Sequence, residues 1–232
     1  MQIPDWQWNE MQQVGTDYAD LNEIATYDQR MAAFRKVDAE NREILDMLQL
    51  PPGSAVLEIG CGTGHFSRAA AAAGLHATAI DVSAQMLDYV RQKALSDGGF
   101  TIATQHAGFL TMDFPGAHFD AVVSGAALHH LPDAWKFVAL RNIAQALVPG
   151  GQFILRDVVF TVAEGESPET CFERFTNGFS GMRVEAARHV AQEYSTYDWI
   201  MEGLLERAGF TIIAKANPCE SLLAYHCLNK RI

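Results

Sequence analysis

The pattern of apolar and polar positions changes period several times along the chain. Residues 1–20 mix polar and aromatic side chains without a clear repeat. From Ile24 to Leu48 apolar residues recur at helical spacing (Tyr27, Met31, Phe34, Val37, Ile44, Leu45 and Leu48), and Pro51-Pro52-Gly53 stops the helix. Short apolar runs then alternate with helical stretches. Ala55–Ile59 reads as a strand, and the alanine-rich Ser67–Ala73 as a helix closed by Gly74. His76–Ile80 is strand-like and ends at Asp81, after which Ser83 caps a helix running through Val90. Thr101–Gln105 and Ala121–Ser124 predict strands, Trp135–Leu147 a helix, and Pro149-Gly150-Gly151 a turn into the strand Phe153–Arg156. Such alternation predicts an α/β fold, a parallel sheet covered by helices on both faces.

After Asp157 the alternation breaks. Residues 160–193 predict an inserted, mostly helical lid rich in aromatic residues: Phe172, Phe175 and Phe179, with Met182, then Tyr194, Tyr197 and Trp199 beyond it. These either enclose an acceptor or pack the lid onto the sheet. Ser195 with Asp198 three positions on has the spacing of a capping box for a helix to Ala208, closed by Gly209. Phe210–Ala214 and Leu222–Leu228 predict a closing antiparallel pair. The expected organisation is one domain: a helical cap (1–50), a ligand-binding core (51–159), a lid and helix (160–208) and the closing strands (209–232).

Composition narrows the partners. The 232 residues are 49% hydrophobic, enough for a buried core, and carry a formal net charge of −11. A surface of that sign repels phosphate backbones, so no nucleic-acid partner is expected. Neither a signal-like N-terminus nor an apolar run of membrane-spanning length is present, so the expectation is a cytoplasmic protein without a membrane partner. The cysteines Cys61, Cys171, Cys219 and Cys227 are scattered, with no CxxC pair and no metal-ligand spacing; reduced thiols and no metal are expected.

The most informative run is Glu58-Ile59-Gly60-Cys61-Gly62-Thr63-Gly64, which follows a strand and opens a helix. Glycines let such a bend turn sharply and approach a ligand closely. A dinucleotide fingerprint would place its third glycine at His65, whereas here it stands at Gly64. This argues against a nicotinamide-dependent oxidoreductase. Asp81, ending the next strand, can accept hydrogen bonds from both hydroxyls of a ribose, or cap the helix that follows.

These residues resemble the class I S-adenosylmethionine (SAM)-dependent methyltransferases. The glycine run matches their first motif and Asp81 their ribose-binding acid. Phe119–Ser124 followed by Ala127–Asp133 looks like their fourth strand and its loop, and Leu147–Gly151 like the turn into the fifth. The resemblance covers roughly residues 25–157. It implies a Rossmann-like, seven-stranded, mainly parallel sheet with an antiparallel last strand. It also implies SAM as cofactor, held by Glu58, Gly60, Cys61, Gly62, Gly64, Asp81, Val82, Met86 and Ser124, with Tyr27 reaching its methionine end. Many relatives carry an acid after the third strand that binds the adenine amino group. Gly108 stands there in His106-Ala107-Gly108-Phe109-Leu110, which leaves adenine to backbone groups and to Phe109 and Leu110.

Methyl transfer by in-line displacement needs alignment and exclusion of water, and a general base only where the acceptor must lose a proton. His129, His130 and Asp157 are the candidate bases, although loop packing explains the histidines and an ion pair with Arg156 explains Asp157. The implied activity is methylation of a small-molecule acceptor by a monomer or homodimer. The alternative is a SAM-binding regulatory or scaffold protein that transfers nothing.

Overall fold

The computed structural model describes residues 4–12, 36–179, 181–219 and 222–230. Tyr27 and the first half of the predicted N-terminal helix, with Met31 and Phe34, lie outside them. The helix is seen from its second half as α1 (Val37–Leu48), with Ile44 and Leu48 buried.

The strands β1 (Ala55–Ile59), β2 (His76–Asp81), β3 (Ala103–His106), β4 (Phe119–Gly125), β5 (Leu147–Asp157), β8 (Phe210–Cys219) and β9 (Leu222–Asn229) form one sheet of order β3-β2-β1-β4-β5-β9-β8. β1 pairs in parallel with β2 and β4, and β4 with β5, while β9 runs antiparallel to both β5 and β8. This is the Rossmann-like sheet the sequence implies. The helices α2 (His65–Ala72), α3 (Ala84–Gly98), α4 (Asp133–Ala146) and α7 (Asp198–Ala208) cover it. Two apolar cores follow from that sandwich. Leu57, Ile59, Val122 and Phe153 belong to one, shared with α4 and α7. Val56, Ala79, Val123 and Ile154 belong to the other, shared with α1, α2 and α3. Consecutive strand residues thus serve opposite faces, as the pleat requires.

The insert contains α5 (Pro168–Gly178) and α6 (Arg183–Gln192), with the short parallel pair β6 (Val159–Phe160) and β7 (Thr196–Tyr197) at its base. Its aromatics pack on one another: Phe160 lies 5.4 Å from Phe175, and Phe175 5.1 Å from Phe179, ring to ring. These residues, with Cys171 and Ala186, form a third small core.

Two local expectations change. Ser83 caps α3 as predicted, its hydroxyl accepting from Met86 N–H at 3.3 Å, but the helix runs on to Gly98. Ser195 does not cap α7: Tyr197 occupies the N-cap position, and the Ser195 hydroxyl bonds His189 Nε2 at 2.7 Å instead. Cys61, Cys171 and Cys227 are buried free thiols, and no helix among the described residues is long and apolar enough to cross a membrane.

Candidate active site

The carboxyl ends of β1, β2 and β4 open onto a cavity with about 200 Å³ of room for solvent. Its floor is the glycine bend. β1 ends at Ile59, and Gly60 and Cys61 turn back with their N–H groups on the Ile80 carbonyl, at 2.9 and 3.1 Å. Gly60 has φ +69°, and a Cβ there would stand 2.4 Å from the Cβ of Ala127. Replacing it with alanine is expected to cost about 2–3 kcal/mol through left-handed strain and overpacking. The shift would appear in the urea midpoint, and an unchanged midpoint would contradict the close approach.

Gly62 N–H donates to Asp81 Oδ2 at 2.8 Å, and Ser83 N–H donates to Asp81 Oδ1 at 2.8 Å. One carboxylate thus ties the bend to the start of α3. Burial raises the Asp81 pKa, and the two backbone donors work against that rise. Burial likewise pushes Glu58 up to about 7. Its Oε2 accepts from Ser67 N–H at 2.9 Å and from the Ser67 hydroxyl at 2.5 Å.

Of the residues expected to hold a cofactor, Glu58, Gly60, Cys61, Gly62, Asp81, Val82, Met86, Gly108, Phe109 and Ser124 all line this cavity. The Ser124 hydroxyl is already committed, donating to the Ile59 carbonyl at 3.1 Å. Gly64 and Leu110 are not in the wall. Gly64 is the N-cap of α2 with φ +71°, and Leu110 packs against the core while its N–H donates to Glu10 Oε1 at 2.8 Å.

The candidate bases separate. Asp157 is fully buried and accepts from His129 twice, from its N–H at 3.0 Å and at Nδ1 at 2.5 Å. His129 Nε2 lies 3.2 Å from Glu193 Oε2, which also meets His189 Nδ1 at 2.5 Å. Burial would lower the His129 pKa, but the carboxylates of Asp157 and Glu193 prevail and hold it at about 9. Only His130 lines the cavity, and burial together with the cationic His129 ring, 4.4 Å away, lowers it to about 4. The expected Asp157–Arg156 pair is absent: Arg156 turns to the cavity and pairs with Glu43 and, at 3.7 Å, with Glu40 of α1. Adjacent residues of β5 face opposite ways, so each finds a different partner.

Ligand-forming atoms of His129, His189 and Glu193 lie within 4.8 Å of one another, close enough to share a metal ion. Here they engage each other, Asp157 and Ser195.

The opposite wall of the cavity comes from the N-terminal segment and the helix after it. Trp8, Glu10 and Gln12 line it, together with Val37, Glu40, Asn41 and Ile44 of α1. The segment 4–12 lies as a strap: the Trp6 ring stacks on Trp135 at 6.2 Å, and Trp8 meets Tyr194 edge-on at 5.4 Å. No residue of the insert is part of the lining among the described residues.

Comparison with known proteins points to one family. The methyltransferase-domain family matches residues 56–151. An uncharacterized methyltransferase of Bacillus cytotoxicus is 32% identical over 181 residues, 77% of this chain and 80% of the relative. The 27-O-demethylrifamycin SV methyltransferase of Amycolatopsis mediterranei is 34% identical over 113 residues, 48% of this chain and 41% of that protein. The fold is similar to magnesium protoporphyrin IX methyltransferase from Synechocystis PCC 6803, solved with bound SAH (TM-score 0.63, 19% identity, 97% of this chain and 90% of that one).

Proposed function

The chain belongs to the class I SAM-dependent methyltransferases, and from that premise we propose that it methylates a small-molecule acceptor held between the glycine bend and α1. When bound, SAM supplies a methyl group already activated on its sulfonium. The residues present fit that group. A Cβ on Gly62 would meet nothing within 4 Å, so the bend presents bare backbone to the cavity, and Asp81 stands beside it with a buried carboxylate. A carboxylate there can accept from the two hydroxyls of a ribose while Gly62 and Ser83 keep it aligned.

The observation that carries this reading is the bond from Gly62 N–H to Asp81, made within the wall of one cavity at the carboxyl ends of the strands. The acceptor end joins the apolar Ile44, Val37 and Leu131 to the polar Arg156, Asn41 and His130. Such a lining supports a small apolar compound with a polar handle. His130, uncharged at neutral pH with its pKa near 4, is too weak a base to be matched to that task. Its position supports packing or orienting the acceptor, with alignment providing roughly 7–11 kcal/mol of the barrier reduction when geometry is good.

Calorimetry with SAM, its demethylated product SAH and NAD tests the cofactor. Binding to the first two is expected, and binding to NAD alone would overturn the reading. Turnover is then followed as SAH release against a panel of small metabolites. If SAM binds and no metabolite releases SAH, the protein is a SAM-binding regulator or scaffold and the proposed transfer is wrong.

A further inference from the structure

Glu10 holds the strap in an unusual way. It comes from a segment a hundred residues away from the loop after β3, yet its Oε1 accepts from Leu110 N–H and from the Thr111 hydroxyl, both at 2.8 Å. The residue is only 9% exposed, and its other oxygen, Oε2, is buried without a hydrogen-bond partner among the described residues. A buried carboxylate oxygen left unmatched is costly, and in a native structure such an atom calls for an explanation.

Gly108 supplies part of that explanation. A Cβ built on it would lie 2.4 Å from Glu10 Oε2 and 2.5 Å from its Cδ. The Glu10 carboxylate therefore occupies the space a side chain at 108 would fill. Glu10, Gly108, Phe109, Val82 and Asp81 line one stretch of the cavity wall. Along that stretch Asp81 is the group suited to a sugar diol. A base joined to a sugar held there would meet the part of the wall that Val82, Gly108 and Phe109 form. Adenine presents an exocyclic amino group on its far edge, a donor that suits an unmatched carboxylate oxygen.

Resting on the reading of the cavity as a SAM site, we propose that Glu10 is the adenine-reading residue of this protein, its Oε2 accepting from the exocyclic amino group, so that the N-terminal strap selects the base and closes over it. The side-chain-free Gly108 is what makes room for it. Burial raises the Glu10 pKa, and the donors of Thr111, Leu110 and Phe109 work against that rise. The strap is tied to the loop a second time, by Gln7 Nε2 on the Leu110 carbonyl at 3.4 Å, so reading the base and closing the wall are one event.

Calorimetry on the full chain with SAH and with S-inosylhomocysteine, in which a carbonyl replaces the amino group, tests this without any substitution. Preference for the adenosyl compound is expected to be at least about tenfold, the worth of one hydrogen bond to a charged group. Glu10→Gln keeps an oxygen for Leu110 N–H and Thr111 while offering an amide to the hypoxanthine carbonyl. Its preference is expected to fall within about threefold or to reverse. If the wild-type protein binds both compounds equally, or E10Q keeps the full preference, Glu10 does not read the base, and the SAM reading stands on the SAH binding itself. If the wild-type protein binds neither, the SAM site and the role of Glu10 fall together.

Discussion

Replacing Asp157 with asparagine is expected to destabilise the protein by about 3–5 kcal/mol at neutral pH, the usual result of removing one partner of a buried ion pair. Asp157 is 0% exposed and takes both the N–H and the Nδ1 of His129, so the substitution places an amide against a buried imidazolium. The consequence extends beyond the loop. His129 also accepts from Tyr194 N–H through its carbonyl at 2.9 Å and faces Glu193, so the base of the insert is docked on the same residue. Lys136 secures that junction too, with its ammonium on the Tyr194 carbonyl and, at 2.8 Å, on Asp133.

The pH dependence of this cluster has a definite sign. Burial opposes the charge on His129, but Asp157 and Glu193 raise its folded pKa to about 9 from a reference of 6.5. Its contribution to stability is therefore complete below pH 6.5 and is lost as pH rises through about 9. Asp157 and Glu193 are shifted the other way: burial raises them, yet the histidines win and both end below their reference values of 3.8 and 4.5. Their contribution is complete above those values and is lost as pH falls below them. His130 is shifted down to about 4, so below pH 6.5 the unfolded chain takes up a proton that the folded one refuses, and urea unfolding of the wild-type protein is expected to show greatest stability from this cluster near pH 6.5. In D157N the loss on the alkaline side moves to lower pH. A variant within about 1 kcal/mol of the wild type at pH 7 would mean that His129 is not held as a buried cation.

The parts of this molecule that were legible in its sequence are those fixed by neighbours along the chain. Alternating apolar runs placed β1, β2 and β4, and glycine spacing placed the bend beneath the cavity. The Ser83 cap needs only Met86 three residues on. What could not be read depends on contacts between distant segments. Glu10 meets Leu110 across a hundred residues and Arg156 meets Glu43 across 113, and neither pairing leaves a local pattern. Ser195 shows how a correct local signal is overridden: its spacing to Asp198 suits a capping box, but a hydroxyl that can bond His189 is drawn into the histidine cluster. The aromatic insert needed distant contacts to decide between two readings. Its rings left both enclosure of a ligand and packing legible, and those of Phe172, Phe175 and Phe179 pack on Phe160 and one another, while the strap and α1 wall the cavity.

Replacing Asp81 with asparagine is expected to weaken SAM and SAH binding alike by about 100-fold, since two hydrogen bonds to a charged group at about 1.5 kcal/mol each are lost or reversed. An amide offers one oxygen where the carboxylate offers two. Both oxygens are already used, one by Gly62 N–H and one by Ser83 N–H, so the amide nitrogen must confront one of these donors. Either the bend or the start of α3 then shifts, and a diol has one acceptor fewer. The equal loss for both compounds distinguishes this site from contacts at the sulfur, where the two differ in charge. Calorimetry on a variant shown by thermal unfolding to be folded measures it. A change under about threefold would mean that Asp81 serves only as the brace between bend and helix, and that the sugar, if bound at all, lies elsewhere.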